Sequence, residues 1–172
     1  MDTATSEELQ AHVLEMPFLG NDVSFFIILP EETDLANTLN RLNVDTLREV
    51  MDSTFPVTLE VGIPKFRLEQ TTDLHNILTT LGLQDLFNAS SADLSGFNGV
   101  GGLSVDAVTH KAFIEVNEEG SEAAAATAMV SLRMARPLTG TKFICDRPFI
   151  YFIYDNLSNS ILFIGTYRNP NQ

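Results

Sequence analysis

The chain has 172 residues, 44% of them hydrophobic and 19% charged, a balance that suits ordinary globular packing. Its formal net charge of −13 and its pI near 4.4 argue against nucleic acid and anionic membrane as partners. The ten Lys and Arg residues are scattered rather than gathered into a basic patch, and no apolar run reaches membrane-spanning length.

Residues 1–9 are polar and acidic without periodicity, which predicts a frayed or cut terminus. Residues 12–18 and 23–29 are apolar runs separated by Leu19-Gly20-Asn21-Asp22, whose turn chemistry predicts a hairpin. The second run is apolar almost throughout, as in a strand buried on both faces. It is flanked by acidic residues and is too short for the apolar core of a signal peptide. Asp34 caps a short helix that repeats Leu35, Leu39 and Leu42, and residues 45–51 form a second with Leu47, Val50 and Met51 inward. Residues 57–68 alternate, with Val57, Leu59, Val61 and Ile63 on one face, which predicts a half-buried strand bent or at an edge near Pro64.

Residues 72–81 predict a helix with Leu74, Ile77, Leu78 and Leu81 on one stripe and Gly82 as its stop. Residues 84–87 add a turn, and residues 88–102, rich in Ser, Asn, Asp and Gly, read as loop. Residues 103–116 are apolar and lead into a strand that starts near Lys111. Residues 149–154 and 161–167 are β-branched and aromatic, a final hairpin turning at residues 155–160. Strands and helices mix without regular βαβ alternation, so the fold class is α+β with mostly antiparallel sheets and a few short helices.

The lone cysteine, Cys145, excludes an internal disulfide and sits beside apolar Ile144 as a packed thiol. No CxxC, HExxH or paired His/Cys spacing points to a metal, and neither GxSxG nor a Walker A pattern occurs. No cofactor is implied, and no nucleophile, base and orienting residue assemble into an enzyme site. Asn88-Ala89-Ser90 and Asn156-Leu157-Ser158 are N-glycosylation sequons, making Asn88 and Asn156 candidate glycan sites.

Residues 118–136 organise the rest. They run Glu118, Glu119, Gly120, Ser121, Glu122, then alanine at Ala123, Ala124, Ala125 and Ala126, then Thr127, and end with Arg133, Met134, Ala135 and Arg136 before Pro137. Alanine favours helix, yet the run has no apolar stripe to bury. At period two, Ser121, Ala123, Ala125, Thr127, Met129 and Ser131 share one uncharged, slender face that fits a tight, dry slot.

This segment resembles the reactive-centre loop of the serpins, whose hinge reads Glu-Glu-Gly-Thr-Glu-Ala-Ala-Ala-Ala-Thr; Ser121 in place of threonine is the single departure. Residues 143–153 resemble the family's C-terminal Asp/Asn-Arg/His-Pro-Phe pattern, here Asp146-Arg147-Pro148-Phe149, and residues 110–120 resemble the strand that leads into the loop. Ile63-Pro64-Lys65-Phe66, Asp93-Leu94-Ser95-Gly96 and residues 165–170 match as well.

The resemblance covers nearly the whole chain. It implies the C-terminal half of a serpin domain over residues 1–172, with the N-terminal half absent, and a looser likeness to an arthropod-like secreted, extracellular inhibitor. It also implies a suicide substrate for serine proteases, whose cut loop inserts into the main sheet. Each new ladder hydrogen bond contributes about 1 kcal/mol net, so a strand of about a dozen residues gains on the order of 10 kcal/mol. The uninserted state is then kinetically trapped.

The family's spacing places the reactive bond at Met134-Ala135, which implies elastase- or chymotrypsin-like targets. A register shift to Arg133 or Arg136 implies trypsin-like ones. Glu119 to Ala126 form the hinge, with Gly120 as swivel and Ser121 entering first. His110 matches a sheet-opening histidine of the family; His12 and His75 have no such match. Asp146, Arg147 and Pro148 set the start of a strand. The alternative is a non-inhibitory binding or carrier protein, or an inactive fragment, whose partner is the N-terminal half or a second copy in a self-associated dimer.

Overall fold

A computed structural model describes residues 1–117 and 142–169. The chain divides into two compact units. One is built from Met1–Pro64 with the C-terminal strands, and the other falls within Lys65–Gly120.

The first unit is a six-stranded sheet of β1 (Asp2–Ser6), β2 (Ala11–Pro17), β3 (Val23–Pro30), β4 (Phe55–Pro56), β9 (Phe149–Asp155) and β10 (Ser160–Tyr167). Its spatial order is β10-β9-β3-β2-β1-β4, and each neighbouring pair is antiparallel. The hairpin predicted around residues 19–22 joins β2 to β3, with Gly20 at φ 97° and Asn21 at φ 62° supplying the left-handed turn. β3 is buried from Ser24 to Pro30, as its unbroken apolar run requires.

Residues 1–9 are not frayed. Residues 2–6 pair with β2 as β1, and Leu9 is fully buried. The polar residues of β1 satisfy the ladder while Ala4 faces the core, so a strand lacking an apolar stripe is held by backbone pairing. The core combines the inward residues Ala4, Val13, Phe26, Ile28, Ile150 and Phe152 with Leu35 and Val50 from two helices. Phe26 and Phe152 are directly paired across the strands, and their rings stack at 4.6 Å and 3°.

The helices are α1 (Leu35–Arg41) and α2 (Val44–Ser53). Asp34 Oδ1 accepts from the N–H groups of Ala36 and Asn37, as predicted for a cap. α2 starts at a full capping box, where Asn43 Oδ1 accepts from Thr46 N and Thr46 Oγ1 accepts from Asn43 N. The Thr38 hydroxyl and the Arg41 guanidinium donate to the carbonyls of Leu9 and Glu8, tying α1 to the β1–β2 turn.

The single strand predicted over residues 57–68 is two. β5 (Glu60–Gly62) pairs in parallel with β8 (Lys142–Ile144), while β6 (Phe66–Asp73) pairs antiparallel with β7 (Thr109–Val116). The half-buried alternation holds through Val57, Leu59 and Val61, but the strand breaks at residues 63–65 around Pro64, which has no N–H to donate.

The second unit contains β6, β7, α3 (His75–Thr80), a 3-10 turn at Asp85–Phe87 and α4 (Ser95–Asn98). β6 runs on to Asp73 because residues 70–73 pair with residues 109–112, which delays the helix predicted from Thr72. Gly82, at φ 99°, follows α3 as expected. The stripe expected on α3 is only half covered, with Ile77 and Leu81 at 47% and 73% exposure. α4 is one turn inside the segment predicted as loop.

Gly165 pairs with Tyr151 across β10 and β9, and a Cβ there would lie 2.6 Å from Tyr151 Cζ. Two predictions follow from this packing. Phe152→Ala lowers unfolding stability by about 3–5 kcal/mol. Gly165→Val lowers it by at least about 1 kcal/mol, because the tyrosine ring must leave its rotamer. Urea denaturation followed by circular dichroism reads both.

Candidate functional site

Two strands bracket the segment singled out from the sequence. β7 ends at Val116 in the second unit, and β8 begins at Lys142 in the first. The hinge residues Glu119 to Ala126, the Met134-Ala135 bond and the alternatives Arg133 and Arg136 lie outside the described residues.

The incoming strand alternates cleanly. Ala112, Ile114 and Val116 are half-buried on one face, and Lys111, Phe113 and Glu115 are exposed on the other. The exposed face is charged across the pair: Lys111 meets Glu69, Arg67 meets Glu115 at 3.7 Å, and the Arg67 guanidinium lies 5.5 Å from the Phe113 ring centre. Exposed pairs of this kind add little stability but set register and solubility. His110 is exposed, stands opposite Thr72, and by the same alternation shares the face of Ala112, Ile114 and Val116.

The outgoing strand is anchored more firmly. Phe143 and Cys145 are buried, and Cys145 N donates to Gly62 O at 2.8 Å, extending the parallel β5–β8 ladder. Arg147 then reaches back: its Nε donates to Pro30 O at 2.6 Å, and its Nη1 pairs with Asp146 Oδ1 at 2.9 Å. Asp146-Arg147-Pro148 thus fixes the start of β9 against the end of β3, the structural role its sequence suggested. An open cavity of about 790 Å³ lies beside this anchor, lined in part by Thr5, His12, Phe55, Leu59, Lys142 and Arg147. Its walls come from widely separated segments, so no contiguous motif announces it.

Burial pushes the Cys145 thiol up to about 12, against a smaller downward pull from Arg147. It is therefore protonated near neutrality and fits the packed, unreactive role expected of it.

The two sequons differ. Asn88 is exposed, and its Oδ1 accepts from the N–H and hydroxyl of Ser90. Asn156 bridges two turns, with Nδ2 donating to Asn21 O at 2.8 Å and Ser24 Oγ at 3.1 Å. Ser24 also donates to Glu15, which in turn accepts from Thr54. No motif announces this polar chain, because its members meet only when the strands pair.

An α+β scaffold with a small-residue segment between two strands of different sheets defines the class to which the comparisons point. The model of the family described as Serpin (serine protease inhibitor) matches residues 1–170. Human Serpin B4 is 42% identical over 170 residues, covering 97% of this chain and 43% of that protein. Human leukocyte elastase inhibitor is 40% identical over 171 residues, covering 95% and 45%. Among solved structures, human thyroxine-binding globulin superposes with a TM-score of 0.76 at 26% identity, over 99% of this chain and 44% of that one. The chain belongs to the serpin family, and it spans less than half the length of these relatives.

Two predictions test the anchor. Arg147→Ala lowers stability by about 1–3 kcal/mol, since Pro30 O loses its charged donor; thermal melting reads it. The folded Cys145 thiol ionises well above the unfolded value of 9.0, so its contribution is intact below about pH 9 and is lost as pH rises towards about 12. Cys145→Ala flattens that part of the alkaline loss in denaturation curves taken across this range.

Proposed function

We propose that this chain is the C-terminal half of a serpin domain and carries the reactive-centre loop of a suicide inhibitor of serine proteases. The observation that carries the reading is the run Glu118 to Thr127, a glycine followed by small residues with Glu122 as the single charge among them, which lies in chain order between β7 and β8. A protease attacks the bond between Met134 and Ala135 and forms an acyl-enzyme; the freed arm then inserts as a strand, with Ser121 first. Membership of the family and the name of the leukocyte elastase inhibitor support this reading, and with it an elastase- or chymotrypsin-like target. Arg133 and Arg136 keep a trypsin-like target within the proposal.

His110 acts in sheet opening on this reading, supported by its place on the apolar-facing side of β7. Secretion in the manner of an arthropod-like inhibitor belongs to the same proposal, supported by the two sequons. The rest of the domain, or a second copy, covers the exposed Leu162, Phe163 and Ile164 of edge strand β10.

A second reading, a non-inhibitory binding protein, is favoured by the structural likeness to thyroxine-binding globulin.

Mixing the protein with trypsin and with elastase, followed by denaturing gels and mass mapping, separates the two. Inhibition gives an SDS-stable complex with a cut between Arg133 and Pro137; a cut without a complex supports the second reading. In an inhibitor, Ser121→Glu converts complex formation into plain cleavage, because a carboxylate at the entering position must be desolvated.

A further inference from the structure

The two sequons are chemically alike but conformationally opposite. N-glycosylation forms a bond from the asparagine Nδ2 to the anomeric carbon of a lipid-linked oligosaccharide. The sugar–oxygen bond to pyrophosphate breaks, the lipid pyrophosphate leaves, and Nδ2 gives up one proton. Transfer takes place on the chain before it folds, so a glycan persists in folded protein only where the fold does not need both amide hydrogens and leaves open space beyond the nitrogen.

At Asn156, both Nδ2 hydrogens are committed within the fold, one to Asn21 O at 2.8 Å and one to Ser24 Oγ at 3.1 Å. Ser24 is fully buried, so the second of these bonds points into the protein. The sequon's own hydroxyl is also turned away, with Ser158 Oγ donating to Asp155 Oδ2 at 2.7 Å. A sugar on Asn156 replaces one of these hydrogens and wedges apart the β2–β3 and β9–β10 turns. Both sequons are exposed, Asn88 and Ser90 as much as Asn156 and Ser158, so the difference lies in the bonds: the Ser90 hydroxyl donates to Asn88 Oδ1 at 2.6 Å, and the Ser90 N–H donates to the same oxygen at 3.0 Å. The oxygen holds the turn and Nδ2 is not among the atoms that hold it.

We propose that the folded protein carries an N-linked glycan at Asn88 and excludes one from Asn156. Glycosylation requires passage through the secretory route proposed above, whereas the exclusion at Asn156 follows from the bonds that hold its side chain.

The full chain, directed into the secretory pathway of a eukaryotic host, is released from its glycans enzymatically in heavy-oxygen water and digested with trypsin. Each sequon lies in its own peptide, residues 68–111 and 143–168, the latter uncut at Arg147 because Pro148 follows. Soluble secreted protein is expected to carry heavy oxygen at Asn88 and none at Asn156; label at Asn156, or none at Asn88, overturns the proposal. Thermal melting of unglycosylated protein tests the exclusion independently of secretion. Asn156→Ala lowers the midpoint by at least about 3 °C, while Asn88→Ala shifts it by less than about 1 °C. Equal midpoints for the two variants overturn it.

Discussion

The pairing of β3 with β9 is the constraint on which the rest of the described structure depends. It sets residues 23–28 against residues 150–155, segments separated by most of the chain. Phe26 and Phe152 stack at 4.6 Å across that pair, and the Arg147–Pro30 hydrogen bond closes its end. Without β9, β3 would be an edge strand apolar on both faces, an arrangement open to aggregation. With it, the hairpin β2–β3 becomes the middle of a six-stranded sheet, and α1 and α2 have a face on which to bury Leu35 and Val50.

The same constraint positions β8, the strand that follows the small-residue segment in the chain. Because Arg147 is tied to the end of β3, the residues just before it are held in place. Phe143 and Cys145 are buried, and β8 lies parallel to β5. Parallel pairing of so short a strand is weak by itself. The anchor at Arg147 and the buried side chains on either side of Ile144 supply what the ladder lacks.

The second unit is organised on different terms. Its sheet has two strands, and Phe66 is the one buried hydrophobic side chain among its described residues. A two-stranded sheet is marginal in water unless a further strand or helix covers it. That is in keeping with a chain spanning 43–45% of the length of its relatives. Half-buried Ala112, Ile114 and Val116, beside exposed Phe113, leave apolar surface on both faces of β7.

Local chemistry made several elements legible in the sequence: the Gly20-Asn21 hairpin, the Asp34 cap, the Gly82 stop and the final aromatic hairpin. Each depends on neighbours within a few residues. The run proposed as a hinge stands out in the sequence because a glycine followed by small residues is a pattern in one dimension. The sequence did not reveal that polar residues 2–6 form a strand, that residues 57–68 serve two sheets, or that Asn156 ties two turns while Asn88 does not. Those outcomes rest on backbone ladders and hydrogen bonds between segments remote in the chain. Local residue patterns determined the class and carried the family resemblance; the tertiary structure alone decided which strand edges, carbonyls and amide nitrogens were already taken, because a hydrogen-bonding group is committed only when its partner arrives in space.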